Sequence, residues 1–192
     1  IAAGLRADGS GVMRAVRTPG LAEAIAAFAP NIVLEEVTVA GPPTSIALRG
    51  AGWMEAAILL AALGAKTSGD QSAWIEVRTP SGGVARARVG GGGIDVQVEA
   101  GAPLDPIVLR SYAIGAAHAG FSWVTSEALA VDRAGEVQDL TMRSFGIVKP
   151  DAFPHVEVTI VDSDAEPVNA SDAVMAAVAA AEENVDQGVD EL

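Results

Sequence analysis

Residues 73–99 read AWIEVRTPSGGVARARVGGGGIDVQVE, and two glycine-containing breaks divide them into three short strands. In the first strand Trp74, Glu76 and Arg78 alternate with Ile75 and Val77, the period of two that puts successive side chains on opposite faces. TPSGG at 79–83 supplies the turn into VARARV, which makes the pair a hairpin. The four glycines at 90–93 are expected to form a plain loop before IDVQVEAG, another alternating strand. A parallel sheet needs a crossover of a dozen or more residues between its strands. Hairpins mixed with helices therefore predict an α+β fold with mixed sheets rather than a doubly wound one.

The flanking sequence fits that class. Thr18 and Pro19 give a capping hydroxyl and a first-turn proline before LAEAIAAF (21–28), a helical pattern that Pro30 ends. NIVLEEVTVA (31–40) is rich in β-branched residues and predicts a strand; TSIALR (44–49) predicts a second beyond the GPP break. GWMEAAILLAAL (52–63) predicts a buried helix closed by Gly64. PIVLRSYAIGAAHAGFSW (106–123) lacks strand alternation and carries small residues at close spacing, the mark of a helix packed tightly on a sheet. Strands are expected near 124–131 and 155–162 with a turn at DRAGE (132–136), followed by a helix over about 172–184. The acidic stretch from Glu182 onward is expected to fray. The expected organisation is an N-terminal lobe over 1–102, a second lobe over 103–184 and an acidic tail over 185–192, with a weak seam at the glycines.

Composition narrows the function. Half of the 192 residues are apolar, yet only three Trp, one Tyr and four Phe are aromatic, so the core is expected to be aliphatic and closely packed. The net charge of −13 repels phosphate backbones and argues against nucleic acid as a partner. With no cysteine, no disulfide or thiolate metal site can form, which suits a cytoplasmic location. The longest apolar run, AAILLAAL at 56–63, falls well short of the roughly 20 residues of a membrane span. The start, IAAGLRADGSG, has no basic region followed by an apolar stretch and no initiator Met, so a processed or truncated chain is expected rather than a signal peptide.

Few residues stand out as chemistry. His118 and His155 are the only histidines, and neither has metal-ligand spacing. His118 lies among small helical residues and is expected to be packed or hydrogen bonded; His155 opens a strand. GAKTSG (64–69) lacks the glycine before Lys66 and follows a helix, so it is not a phosphate loop. Trp53, Trp74 and Trp123 are expected to anchor the core. AEPVNASDA at 165–173 places Glu166 just before a helix that Asn169, Ser171 or Asp172 can cap.

The second half carries a resemblance. PLDPIVLRSYAIGAAHAGFSWVTSEALAVDRAGEV (103–137) runs in the order and spacing of the EGQIxGGxxQGLGxALSE helix, strand and D-x-x-G turn of one enzyme family. MRSFGIVKPDAFPHVEVTIV (142–161) is similar to its later YxIPTxxDxPxIEVxIV segment, with Asp151 and Pro154 in place, and SDAVMAAVAAA to its last helix. On these segments the chain resembles the C-terminal part of the molybdenum-cofactor-binding large subunit of the xanthine dehydrogenase and aldehyde oxidase family. The likeness covers residues 103–182, while residues 1–102 give no comparable match.

The resemblance implies lobes of a molybdenum cofactor-binding domain. It puts Gly115 and Gly120 on family glycines beside the cofactor, Trp123 on an aromatic position and Glu127 on the Ser-Glu. It also puts Glu166 near the family's catalytic Glu, the base that takes a proton from a metal-bound hydroxide. The departures are chemical. Ala119 and Tyr112 stand where the family has cofactor-holding Gln side chains, and SDAEPVNASDA (163–173) lacks the glycines of the family's GxGE loop. The implied reading is a non-catalytic or accessory subunit that completes a larger oxidoreductase. It has no cofactor of its own, and molybdopterin enters only with a partner chain. The alternative is a free-standing module that inherited the fold and self-associates as a homo-oligomer without enzyme activity.

Overall fold

The computed structural model of the chain describes residues 2–6, 8–17, 21–38, 54–64, 73–79, 81–138, 141 and 143–186. The expected Thr18-Pro19 helix start, the strand at 44–49, Trp53, the Lys66 segment and the last six residues lie outside the described residues. The fold is mixed α+β, with two mixed sheets and four helices among those residues.

The first sheet comprises β1 (Ala2–Leu5), β2 (Gly11–Val16) and β3 (Ile32–Val37), in that order across it. β1 runs antiparallel and β3 parallel to β2. The parallel return from β2 to β3 passes through α1 (Leu21–Phe28), whose Leu21 and Ile25 are buried with Met13 and Ala15 of β2. Residues 54–64 form α2, and Met54, Ala56, Ala57, Ile58, Leu60 and Ala62 join the core as their apolar sequence predicts.

The second sheet is β4 (Ile75–Arg78), β5 (Val84–Gly90), β6 (Gly93–Glu99) and β9 (His155–Ile160). The first three are successive hairpin strands, and β9 returns parallel to β6. The register sets Ile75, Ala87, Val96 and Val158 in one buried row. The neighbouring row on the other face is Glu76, Arg86, Gln97 and Thr159, where Arg86 Nε donates to Glu76 Oε2 at 2.7 Å. Alternation thus sorts one face for the core and one for water.

Two helices cover the apolar face. α4 (Ser171–Asp186) packs against β4, β5 and β6, and α3 (Pro106–Thr125) packs against α4 and β9. A helix held between a sheet and a second helix keeps little solvent-facing surface. Ala173, Val174 and the unbroken run Ala176–Ala181 are all buried, and their small side chains let both neighbours come close. Gly120 of α3 makes this contact: a Cβ there would collide with the Met175 carbonyl of α4. Between α3 and β9 lies a two-stranded ribbon, β7 (Ala130–Val131) with β8 (Val137–Gln138).

Four local expectations are corrected. The strand expected from 124 is helix as far as Thr125, because Phe121, Trp123 and Val124 pack against the core in helical register, which overrides their β propensity. Only Ala130 and Val131 of that stretch are extended. Trp74 is 37% exposed instead of a core anchor; it falls on the polar face of its strand, with the Arg88 guanidinium 4.9 Å above its ring. Trp123 is partly buried against the core. The four glycines are a tight hairpin turn instead of a loose loop. Gly90 and Gly93 pair across the ladder, and Gly91 (φ 61°) and Gly92 (φ 81°) take the left-handed conformations that a two-residue turn demands. Finally, the chain does not fray at Glu182, since α4 continues to Asp186 with Asn184 buried.

Candidate functional site

The segment that carries Glu166, read as a polar loop and helix cap, lies across the end of the second sheet. Its backbone is tied down on both sides: Ala102 N donates to Ala165 O at 2.8 Å and Val168 N to Ala100 O at 2.9 Å. Two glycines make this approach sterically feasible. Gly101 (φ 72°) lies against the Glu166 carbonyl, and a Cβ on Gly83 would stand 2.6 Å from Asn169 O. The same segment starts α4, where Asn169 Oδ1 accepts from Ser171 N at 2.9 Å. Of the three capping candidates, Asn169 is the one so engaged. Glu166 itself is exposed.

The N-terminal ends of α3 and α4 flank a cleft of about 240 Å³. Its walls include Pro103, Leu104, Val108 and Tyr112 on the α3 side and Pro167 and Val168 on the other. Asp105 is the carboxylate among the lining residues, and its Oδ1 already accepts from Ile107 N (2.8 Å) and Val108 N (3.2 Å) as the α3 cap. Such a cleft can take an apolar group. Glu166 is not among its lining residues.

The two glycines assigned by resemblance lie in different surroundings. Gly120 is buried in the α3–α4 contact; Gly115 is exposed, and a Cβ there would meet nothing within 4 Å. Tyr112 is 65% exposed, in a row of exposed apolar side chains that also holds Leu104 (95%), Ile107 (80%) and Val108 (47%).

The opposite part of α3 holds the segment 143–153. His118 Nε2 lies 2.7 Å from Val148 O, so that nitrogen carries the hydrogen and donates it. The imidazole also stands edge-on to Phe153 at 4.8 Å between ring centroids. Ser122, fully buried, accepts from Val148 N at 2.9 Å, and Ser126 Oγ donates to Gly146 O at 2.6 Å. His118 is thus the hydrogen-bonded structural residue that its setting predicted, and His155 is the first residue of β9. The role of Ser122 was not legible, because a lone serine in an apolar helix gives no signal until the segment it faces is known. Among the described residues no group of three or more His, Asp or Glu side chains could hold a metal ion, and no helix is long and apolar enough to cross a membrane.

No protein-family profile matches the chain, and no curated protein is detectably similar in sequence. Among solved structures, the backbone is similar to the Cu,Mo-CO dehydrogenase in its carbon monoxide reduced state (TM-score 0.47, 12% identity, 96% of this chain and 34% of that one). It is similar also to reconstituted CO dehydrogenase from Oligotropha carboxidovorans (TM-score 0.46, 12% identity, 95% and 33%). A third is quinoline 2-oxidoreductase from Pseudomonas putida 86 (TM-score 0.46, 12% identity, 94% and 34%). The chain spans about a third of the length of each.

Proposed function

We propose that this chain is an accessory, non-catalytic module related to the molybdenum hydroxylases, completing a larger oxidoreductase through a partner chain. The observation that carries this reading is the outer side of α3. Leu104, Ile107 and Tyr112 are 95%, 80% and 65% exposed beside an apolar cleft. Covering apolar surface is worth about 25 cal/mol per Å², and exposed apolar patches mark interaction surfaces. The sequence resemblance supplies the class of partner, a large oxidoreductase subunit.

The donor set beside α3 does not fit a pterin. Ala119 has no side chain able to hydrogen bond, and Tyr112 offers one phenolic hydroxyl in place of an amide. In the cleft Asp105 Oδ1 caps α3, and Glu166 is exposed. Any molybdopterin in the assembly would therefore be held by the partner.

The test is affinity capture of the tagged chain in its native source, with elemental analysis for molybdenum. The expected result is a large oxidoreductase subunit in the eluate, and molybdenum only with it. A chain recovered alone and metal-free overturns the accessory reading. Molybdenum bound to the chain without a partner would instead make it a cofactor carrier in its own right.

A further inference from the structure

The sheet β1-β2-β3 has two unlike faces. On the inner one Met13 and Ala15 are buried in the core that also holds Leu21 and Ile25 of α1. On the outer one the register pairs Val12 with Val33, Arg14 with Glu35, and Val16 with Val37. These four valines are 38%, 62%, 48% and 39% exposed in the order Val12, Val33, Val16, Val37. Between the two valine pairs, an Arg14 Nη2 to Glu35 Oε2 ion pair spans 3.0 Å with both side chains about half in water or more. Beside β2, the register of β1 sets Ala2 opposite Arg14 and Gly4 opposite Val12. Solvent faces of sheets are ordinarily polar; here four exposed valines flank a central charge pair, and exposed apolar patches mark interaction surfaces.

We propose that this face binds a second copy of the same chain, sheet face to sheet face. The argument is self-complementarity. A twofold axis lying in the interface, parallel to the strands and midway between β2 and β3, carries each β2 residue onto the β3 of the other copy. Val12 then meets Val33 of the second copy, Val16 meets its Val37, and Arg14 meets its Glu35. Each copy gives one arginine and one glutamate to a central four-charge cluster in which every charge has an opposite neighbour. A pair of unlike surfaces would have to reproduce this row order independently; a second copy supplies it by symmetry. Aligned sheets cross at about 30°, which keeps the central row opposed while the valine rows shift slightly.

The face is small. Six residues by three strands cover roughly 20 Å by 14 Å, below the roughly 800 Å² per partner of a standard interface. The dimer is accordingly weak and concentration-dependent. It does not rest on the accessory role proposed above, since it uses no residue of α3 or the cleft.

Sedimentation of the whole chain over a range reaching about 0.5 mM tests it, with half-association expected at roughly 10–100 µM. Arg14→Glu alone sets like charges opposite one another in the dimer, and so does Glu35→Arg; each weakens self-association by tenfold or more. Mixing the two variants restores opposite charges across the interface, so the mixture forms a heterodimer that neither forms alone. Because both variants lose the same intrachain ion pair, a folding defect cannot produce that rescue. A wild-type chain monomeric at the highest concentration overturns the proposal. So does undiminished self-association of either charge variant, or a mixture no tighter than its components.

Discussion

Gly115 and Gly120 lie five positions apart on one helix, and the packing around them predicts opposite responses to the same methyl group. At Gly120 the added Cβ drives into the Met175 backbone of α4, which cannot yield without moving a buried helix. Gly120→Ala should destabilise the chain by about 1–3 kcal/mol, the usual cost of overpacking. At Gly115 the space is open, so Gly115→Ala should stabilise by about 0.5–1 kcal/mol through helix propensity alone. Urea denaturation of the two variants gives both signs in one experiment. A second residue-level prediction concerns the β1–β2 turn. Asp8 Oδ1 accepts from the Ser10 hydroxyl (2.7 Å) and the Ser10 amide (3.0 Å), which favours the ionised carboxylate and lowers its pKa. A carboxyl with a lowered folded pKa stabilises the fold above its unfolded value and loses that contribution as pH falls through the folded one. NMR titration should place Asp8 below the ordinary aspartate range, and Ser10→Ala should raise it again. The associated loosening of the turn belongs below about pH 4.

At the scale of elements, α3 works in two directions, toward α4 through Gly120 and toward the 143–153 segment through Ser122. Replacing Ser122 by Ala leaves the Val148 amide without its acceptor and should cost about 1–3 kcal/mol. Hydrogen exchange should show the Val148 amide losing protection first, with Ala117 and Val178 protected as before. The reach of α3 also marks where sequence reading ended. The β4–β5–β6 pattern was legible because alternation and turn glycines are local signals. The extent of α3 was not, since Val124 and Thr125 favour strands; Val124 packs against the core and Thr125 Oγ1 donates to Phe121 O within the helix. The candidate site divides in the same way. A polar loop before a helix could be read around Glu166, and so could a cap from Asn169. The glycines that fit that loop, Gly83 and Gly101, are more than sixty residues away in sequence, and nothing local links them to it. Trp74 illustrates the reverse error: its place in the alternation, beside Glu76 and Arg78, was a better guide to its exposure than its size.

At the scale of the molecule, two surfaces are less polar than a solvent face requires, the outer side of α3 and the valine rows of the first sheet. They call for different measurements, capture from the native source for one and sedimentation for the other. A captured partner that survives the Arg14→Glu change would separate them cleanly. One feature of the second sheet also governs how the chain acquires its shape. β9 pairs with β6 across the whole of α3 and the β7–β8 ribbon, and α4, which covers β4, β5 and β6, comes later still. During synthesis the three hairpin strands therefore emerge with their valines and isoleucines bare, while the helix that covers them has yet to be made. Pairings so distant in sequence form slowly, and exposed strands are prone to aggregate while they wait. The stage at which this chain is most open to aggregation is therefore the one with β4, β5 and β6 formed and α4 not yet docked.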